Sequence, residues 1–334
     1  MINRLLGTGR RRIITLAVLA LILVNLGLMW WLNEEPETFD PVDRAQARAE
    51  QAGHQLATGY VTTATLIDVV DTLLGKRGGY LVNDKLPPFV LLDNIPNWEI
   101  GVVFQVRDLA RSLRNDFSRS QTQSGEDSDL AIADPQFSFD YSAWVLPSTE
   151  REYRDGVRAL KRYLERLGND QADDARFYAR ADSLREYLAL VEKRLGNISQ
   201  KLSASTGERR TNTDLAGEPA ARESSTIGRE VQVRTSWLQI DDVFYEARGT
   251  TWALIHFLRA VEHDFASVLE DKNAQASLNQ IIRELEASQR ALMSPVVLNG
   301  SGFSVFANHS LVMANYIARA NAALIDLRRL LEQG

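Results

Sequence analysis

Residues Ile13 to Leu32 read IITLAVLALILVNLGLMWWL, twenty residues without a charge. A helix of that length rises about 30 Å, the depth of a bilayer's hydrocarbon core. Any fold adopted in water must be built from the residues beyond it. Ile13, Leu16, Leu19 and Leu23 form the apolar body of the expected anchor, and Trp30 and Trp31 fall where aromatic rings meet the outer interface. Arg4, Arg10, Arg11 and Arg12 precede the run and Glu34, Glu35 and Glu37 lie beyond it. The positive-inside bias therefore predicts a cytoplasmic stub over 1–12, an anchor over 13–32 and the rest of the chain across the membrane. A cleavable signal peptide needs a shorter apolar core and a small-x-small site after it. GLMWWLNEEPE offers no such site, so an uncleaved anchor is expected.

Charge narrows the classes of function. The chain holds 38 Lys and Arg against 44 Asp and Glu, and its first 33 residues supply four arginines and no acid. The part beyond the anchor therefore carries a net charge of −10. Such a surface disfavours nucleic acid and bulk adhesion to anionic lipid. There is no cysteine, which fits an oxidising compartment and removes thiolate metal sites and cysteine nucleophiles. With so short a stub inside the cell, a signal crossing the membrane would need a partner protein.

Pro36 and Pro41 make 33–42 a spacer. Helical spacing then predicts a first helical part over 43–202, a flexible linker over 203–230, and a second helical part over 231–334 packed on the first. Within the first part, apolar steps run from Val42 to Leu74, with Gly53 and Gly59 predicting one kinked helix or two stacked ones. A helix from about Asn97 to Arg119 has the stripe Trp98, Val102, Val106, Leu109, Leu113 and Phe117. Residues 118–147 lose the period, though Phe137, Phe139 and Tyr141 alternate as a short strand would. Thr149 with Glu152 reads as a capping box. From about Asp174, the positions Leu184, Leu188, Val191, Leu195, Ile198 and Leu202 keep four-and-three spacing, coiled-coil or long-bundle geometry. Further stripes occupy 237–269 and 278–292, and Asn308 reads as the N-cap of a last helix. The expected architecture is all-α: an elongated bundle of about seven helices behind one transmembrane helix.

Chemistry is sparse. GKRGG at 75–79 lacks the Ser or Thr of a phosphate loop, no GxSxG or SxxK motif carries a serine, and the helical Glu-x-x-His pairs of bundle metal sites are missing. His256 and His263 lie two turns apart, too far to chelate one ion unaided. No metal, cofactor or enzymatic activity is expected. The feature that stands out is Arg107, Arg111 and Arg114, stacked along one edge of the helix beside its apolar stripe, with Arg119 at its end. Neutralisation by acids of neighbouring helices is the plain reading of such a row. The functional one is a site for an anion or an acidic partner, which guanidinium groups bind bidentately.

GGYLVNDKLPP, DNIPNWEIGVVFQVRDLARSLRNDFSRSQTQSGEDSDL and WVLPSTEREYRDGVRAL together resemble a family of single-span gammaproteobacterial proteins catalogued as domain of unknown function number 2333. The resemblance implies an inner-membrane protein of a Gram-negative cell and brings no activity, ligand or catalytic residue. The expected function is therefore a non-enzymatic envelope interaction or assembly factor, with lipid around the anchor, an envelope protein as partner, and self-association possible through the span. A sensor bundle for a small anionic ligand is the alternative.

Overall fold

The computed structural model describes residues 2–87, 89–120, 125–169, 175–211, 230–294, 296–301 and 305–333. Helix α1 (Ile2–Leu32) contains the apolar run, whose mean hydropathy is 2.5 and whose most apolar 18-residue stretch has no residue buried against the rest of the chain. A core helix of that composition would be covered. By length and composition α1 fits a membrane span or a signal sequence.

Among the described residues, ten further α-helices lie beyond it. They are α2 (Pro41–Ala52), α3 (Tyr60–Gly75), α4 (Asn94–Ser112), α5 (Ser128–Phe137), α6 (Thr149–Leu167), α7 (Ala181–Ser203), α8 (Ile240–Asp264), α9 (Ala266–Asp271), α10 (Gln275–Ser288) and α11 (His309–Glu332). The fold is all-α, and the count exceeds the expected seven for three local reasons. Gly53 and Gly59, both at positive φ, separate α2 from α3. Phe265 breaks the long run into α8 and α9 while its ring packs on Phe117 at 5.1 Å and Phe177 at 5.6 Å. Inside the segment expected to be irregular, Asp127 caps α5 by accepting from the N–H groups of Asp129 and Leu130.

Other boundaries moved for equally local reasons. Instead of a capping box, Ser148 occupies the N-cap position of α6 and the Thr149 hydroxyl donates to the Asp140 carbonyl at 2.7 Å. Phe137 to Tyr141 form no strand. Residues 175–180 are non-helical, and α7 begins at Ala181. Of the expected linker, 212–229 lies outside the described residues; its flanks β1 (Glu208–Thr211) and β2 (Glu230–Val233) pair antiparallel, Glu208 opposite Val233.

The helices alternate in direction. Arg194 of α7 meets Asp108 of α4 and Lys201 meets Glu246 of α8, so α7 runs against both. Helices α4 and α8 are parallel and touch backbone to backbone: a Cβ at Gly101 would overlap Glu246 and Thr250, and one at Gly249 would overlap the Trp98 carbonyl. Glycine is needed there for close approach. Trp98 and Trp252, both buried, pack at 5.1 Å beside this crossing. Leu184, Leu188, Val191, Leu195, Ile198 and Leu202 are all buried on α7. One core cluster collects residues from α2 through α11, on both sides of the hairpin.

Alternation leaves two ends. At one lie the start of α3, the end of α8 and the end of α6: Asp264 accepts the Thr62 N–H at 2.7 Å, and the Gln55 N–H donates to the Gly168 carbonyl at 3.0 Å. At the other lie the starts of α4, α6, α8 and α11 and the ends of α3, α7 and α10. Helix α1 joins the bundle there.

Candidate functional site

The residues just beyond α1 are tied down almost one by one. Leu32 is buried, its side chain against Gly78. Asn33 Oδ1 accepts the Ile95 N–H in the first turn of α4 at 3.2 Å. Glu34 pairs with Arg77, whose guanidinium also lies 5.6 Å from the Trp31 ring. Glu35 receives Arg248 through Nε at 2.7 Å and Nη2 at 2.6 Å, and the same guanidinium donates to the Ser288 and Arg290 carbonyls at 3.3 and 3.0 Å. Arg248 is 7 % exposed. A bidentate ion pair that also caps the end of α10 leaves few donors unmet, the condition under which a buried pair is tolerated.

The last tie uses a histidine. The Phe39 N–H donates to His256 Nε2 at 3.0 Å, and the Phe39 ring stacks on the imidazole at 4.0 Å. With Nε2 accepting, Nδ1 must carry the proton, and it donates to the Trp252 carbonyl at 2.7 Å. Burial pushes His256 down to about 4, so the ring is neutral near pH 7. Asp40 then accepts from the Val42 and Asp43 N–H groups and opens α2. We term this set of ties the clasp.

Beside it a buried ion pair fixes the turn after α3. Glu99 is fully buried and accepts from Lys76 Nζ at 2.5 Å and from the N–H groups of Leu81 and Val82, each at 2.9 Å. Burial raises its pKa to about 7 despite the lysine beside it. Lys76 Nζ also reaches the Gly79 carbonyl at 2.7 Å.

The helix expected to run to Arg119 ends at Ser112 and continues as a π-helical turn over Leu113–Phe117. Arg107 and Arg111 therefore lie on α4, Arg114 on that turn and Arg119 just beyond, and they divide by task. Arg107 donates to the carbonyls of Phe137 and Phe139 and lies 5.5 Å from the Tyr141 ring, holding the chain between α5 and α6 on the bundle. Arg114 bridges Glu126 at 2.8 Å and Asp134 at 3.1 Å, and Arg119 lies 3.8 Å from Glu126. Arg111 is exposed and makes no hydrogen bond or ion pair among the described residues. It lines an open cleft of 780 Å³ between α4 and α7 with Phe104, Asp108, Lys193, Arg194 and Lys201. Arg194 is held bidentately by Asp108 at 2.6 and 2.8 Å, and Lys201 by Glu246 at 3.1 Å, whereas Lys193 is exposed. Three of the four arginines are thus joined to protein partners, and among the described residues the free cations of the cleft are Arg111 and Lys193.

A model for an uncharacterised protein family conserved in bacteria (DUF2333) matches residues 7–334. The chain belongs to that family. No curated protein and no solved structure matches it.

Among the described residues, no group of three His, Cys, Asp or Glu side chains is placed to hold a metal ion. His263 sits 3.4 Å from Asp264 near the surface, and the side chains of His54 and Tyr60 meet at 3.1 Å between Nδ1 and the hydroxyl. The clasp was not anticipated from sequence. Its one local signal is Arg248 inside EARGTTWALIHF, a charge at the head of an apolar stretch buried all round within α8.

Proposed function

We propose that this chain is an inner-membrane anchored periplasmic protein, N-terminus cytoplasmic, acting as a non-enzymatic envelope interaction or assembly factor. The observation that supports it is the clasp. Glu35–Arg248, Phe39–His256 and Asn33–Ile95 make the bundle a rigid continuation of α1. A domain on a slack tether would search for its partner at any height and orientation; one held this way presents a fixed face at a fixed height. The partner surface is the α4–α7 cleft, where Arg111 and Lys193 offer positive charge on an otherwise acidic chain. An acidic segment of an envelope protein is the complement.

The test is cross-linking in intact cells of the tagged full-length protein, followed by mass spectrometry, comparing wild type with Arg111→Glu/Lys193→Glu. One partner lost in the variant supports the assembly role. Equal recovery from both would remove the cleft as the partner surface, and no partner in either would sink the assembly role.

The sensor reading is favoured by one detail: Glu246, which holds Lys201 at the cleft, lies two residues from Arg248 of the clasp. An anion that drew Lys201 away would strain the junction with α1. Thermal stability of the detergent-solubilised full chain would then rise with inorganic phosphate or dicarboxylates, and a flat response would remove this reading.

A further inference from the structure

Outside α1, exposed large apolar side chains gather at one end of the bundle. Among the described residues, four connections at the end where α1 joins carry them. The loop before α4 exposes Leu91 at 62 %, the loop before α6 Leu146 at 83 %, and the turn before α8 Trp237 at 80 %. The loop between α10 and α11 exposes Met293 at 98 % and Val305 at 99 %. Among the described residues outside α1, the exposed large apolar side chains lying elsewhere are Leu56 at the far end and Ile132 on the flank of α5.

Contacts hold these loops at a common level. Asn97 donates to Asp242 at 2.7 Å, joining the first turns of α4 and α8. Asn83 donates to the Ala143 carbonyl at 2.9 Å, joining the loop before α4 to the loop before α6. Asn299 donates to the Ser205 carbonyl at 3.0 Å, joining the α10–α11 loop to the end of α7. Asn33, the first residue past α1, bonds to Ile95, four residues beyond Leu91. The apolar loops therefore share the end of the bundle from which α1 leaves.

We propose that this end is a membrane-docking face, with the outer leaflet of the bilayer that α1 crosses as its occupant. The inference rests on the reading of α1 as a span. Patches of exposed apolar surface mark partner or membrane contacts, and the clasp decides between them. Leu32 is already buried in the bundle and Asn33 is tied to α4, so no slack separates the end of the span from this face. Trp237 together with Trp30 and Trp31 gives the aromatic content that interfaces favour. Glu34, Asp93, Asp241 and Asp242 border the face, which disfavours charge-driven adhesion to anionic lipid. The contact is apolar insertion and is insensitive to salt.

The absence of cysteine makes the test direct. Single cysteines replace Leu91, Trp237 or Val305 in the full chain, with Leu28→Cys in the span and Glu165→Cys on α6 as references. Each carries an environment-sensitive fluorophore, and the protein is reconstituted in phosphatidylcholine vesicles with or without nitroxide-labelled lipid. Loss of emission at 91, 237 and 305 comparable with that at 28, with none at 165, is the expected result. Quenching at 28 alone overturns the docking face and leaves the span standing. Quenching at none of the five positions overturns both. Rim labels shielded from lipid nitroxide and aqueous iodide alike would mean a second copy covers the face, and the proposal falls.

Discussion

Arg248 and Arg107 both sit on long helices and both end on backbone carbonyls, yet they belong to different kinds of region. In the clasp, Arg248 is 7 % exposed, faces the Glu35 carboxylate and closes the end of α10; beside it the Lys76–Glu99 side chains and His256 are also buried, with Phe39 part-buried on the imidazole. On the α4 face, Arg107 and Arg114 are part-buried and Arg111 is wet. A sealed charge is costly to strip of its partner, because the one left behind cannot reach water. A rim charge is hydrated either way and costs little to remove. The difference teaches how unevenly charge is committed: the junction with α1 is over-determined, while the cleft between α4 and α7 keeps two cations uncommitted among the described residues.

The sharpest way to break this contrast is Arg248→Met. It strands Glu35 and leaves the Ser288 and Arg290 carbonyls unmet, so urea unfolding of the full chain in detergent should lose about 3–5 kcal/mol. Residues 33–40 should become a site of proteolytic nicking in the same variant. A loss no larger than that of a rim arginine would show that the clasp is wet.

Next in size is a pH effect from His256. Its pKa is lowered from the ordinary 6.5 to about 4 in the folded chain, so between those values the unfolded state binds more protons. Stability from this group is complete above about 6.5 and is lost as pH falls toward 4, by about 3 kcal/mol in all. Protonation also ends the acceptance of the Phe39 N–H, so acid should loosen the clasp first. His256→Gln should flatten the stability curve over that window; an unchanged slope would place the acid sensitivity elsewhere.

Much of the bundle was legible, because periodicity survives burial. The stripe from Leu184 to Leu202 on α7 and that from Trp98 to Phe117, along α4 and the π-helical turn after it, lie in the core as spacing demands. Asn308 caps α11 by accepting the Leu311 N–H at 2.8 Å. What escaped was short or long-range. Helix α5, only Ser128–Phe137, holds Pro135, yet Leu130, Ala133 and Phe137 are buried at helical spacing in a segment whose polarity masked them. The arginine row was visible as a row, but which member is free depends on Glu126 and Asp134, which the fold brings to Arg114. Two ties of the clasp, Glu35–Arg248 and Phe39–His256, join residues more than two hundred positions apart, and no local pattern encodes such a pair.

Within the α4 face, Arg107→Ala removes the donor shared by two carbonyls and the ring contact with Tyr141, and should cost about 1–2 kcal/mol, between the clasp and the open cleft. The chain between α5 and α6 should gain amide exchange in the same variant. If Arg107→Ala were neutral, the row would be ornamental throughout and the division of labour within it would fail.

The smallest stability effect carries the functional prediction. Arg111→Glu/Lys193→Glu touches no ion pair among the described residues, so stability should stay within about 0.5 kcal/mol of wild type. Reversing Arg107 or Arg114 as well would confound the test, since a lost partner could then result from a disordered α5. With the double reversal alone, helicity and unfolding midpoint serve as internal controls. Loss of partner recovery at constant stability would place recognition in the cleft and confine the buried charges to holding the bundle on α1. Retained recovery would move the search to the apolar end, where Trp237 and Val305 would then be competing for a protein surface instead of lipid.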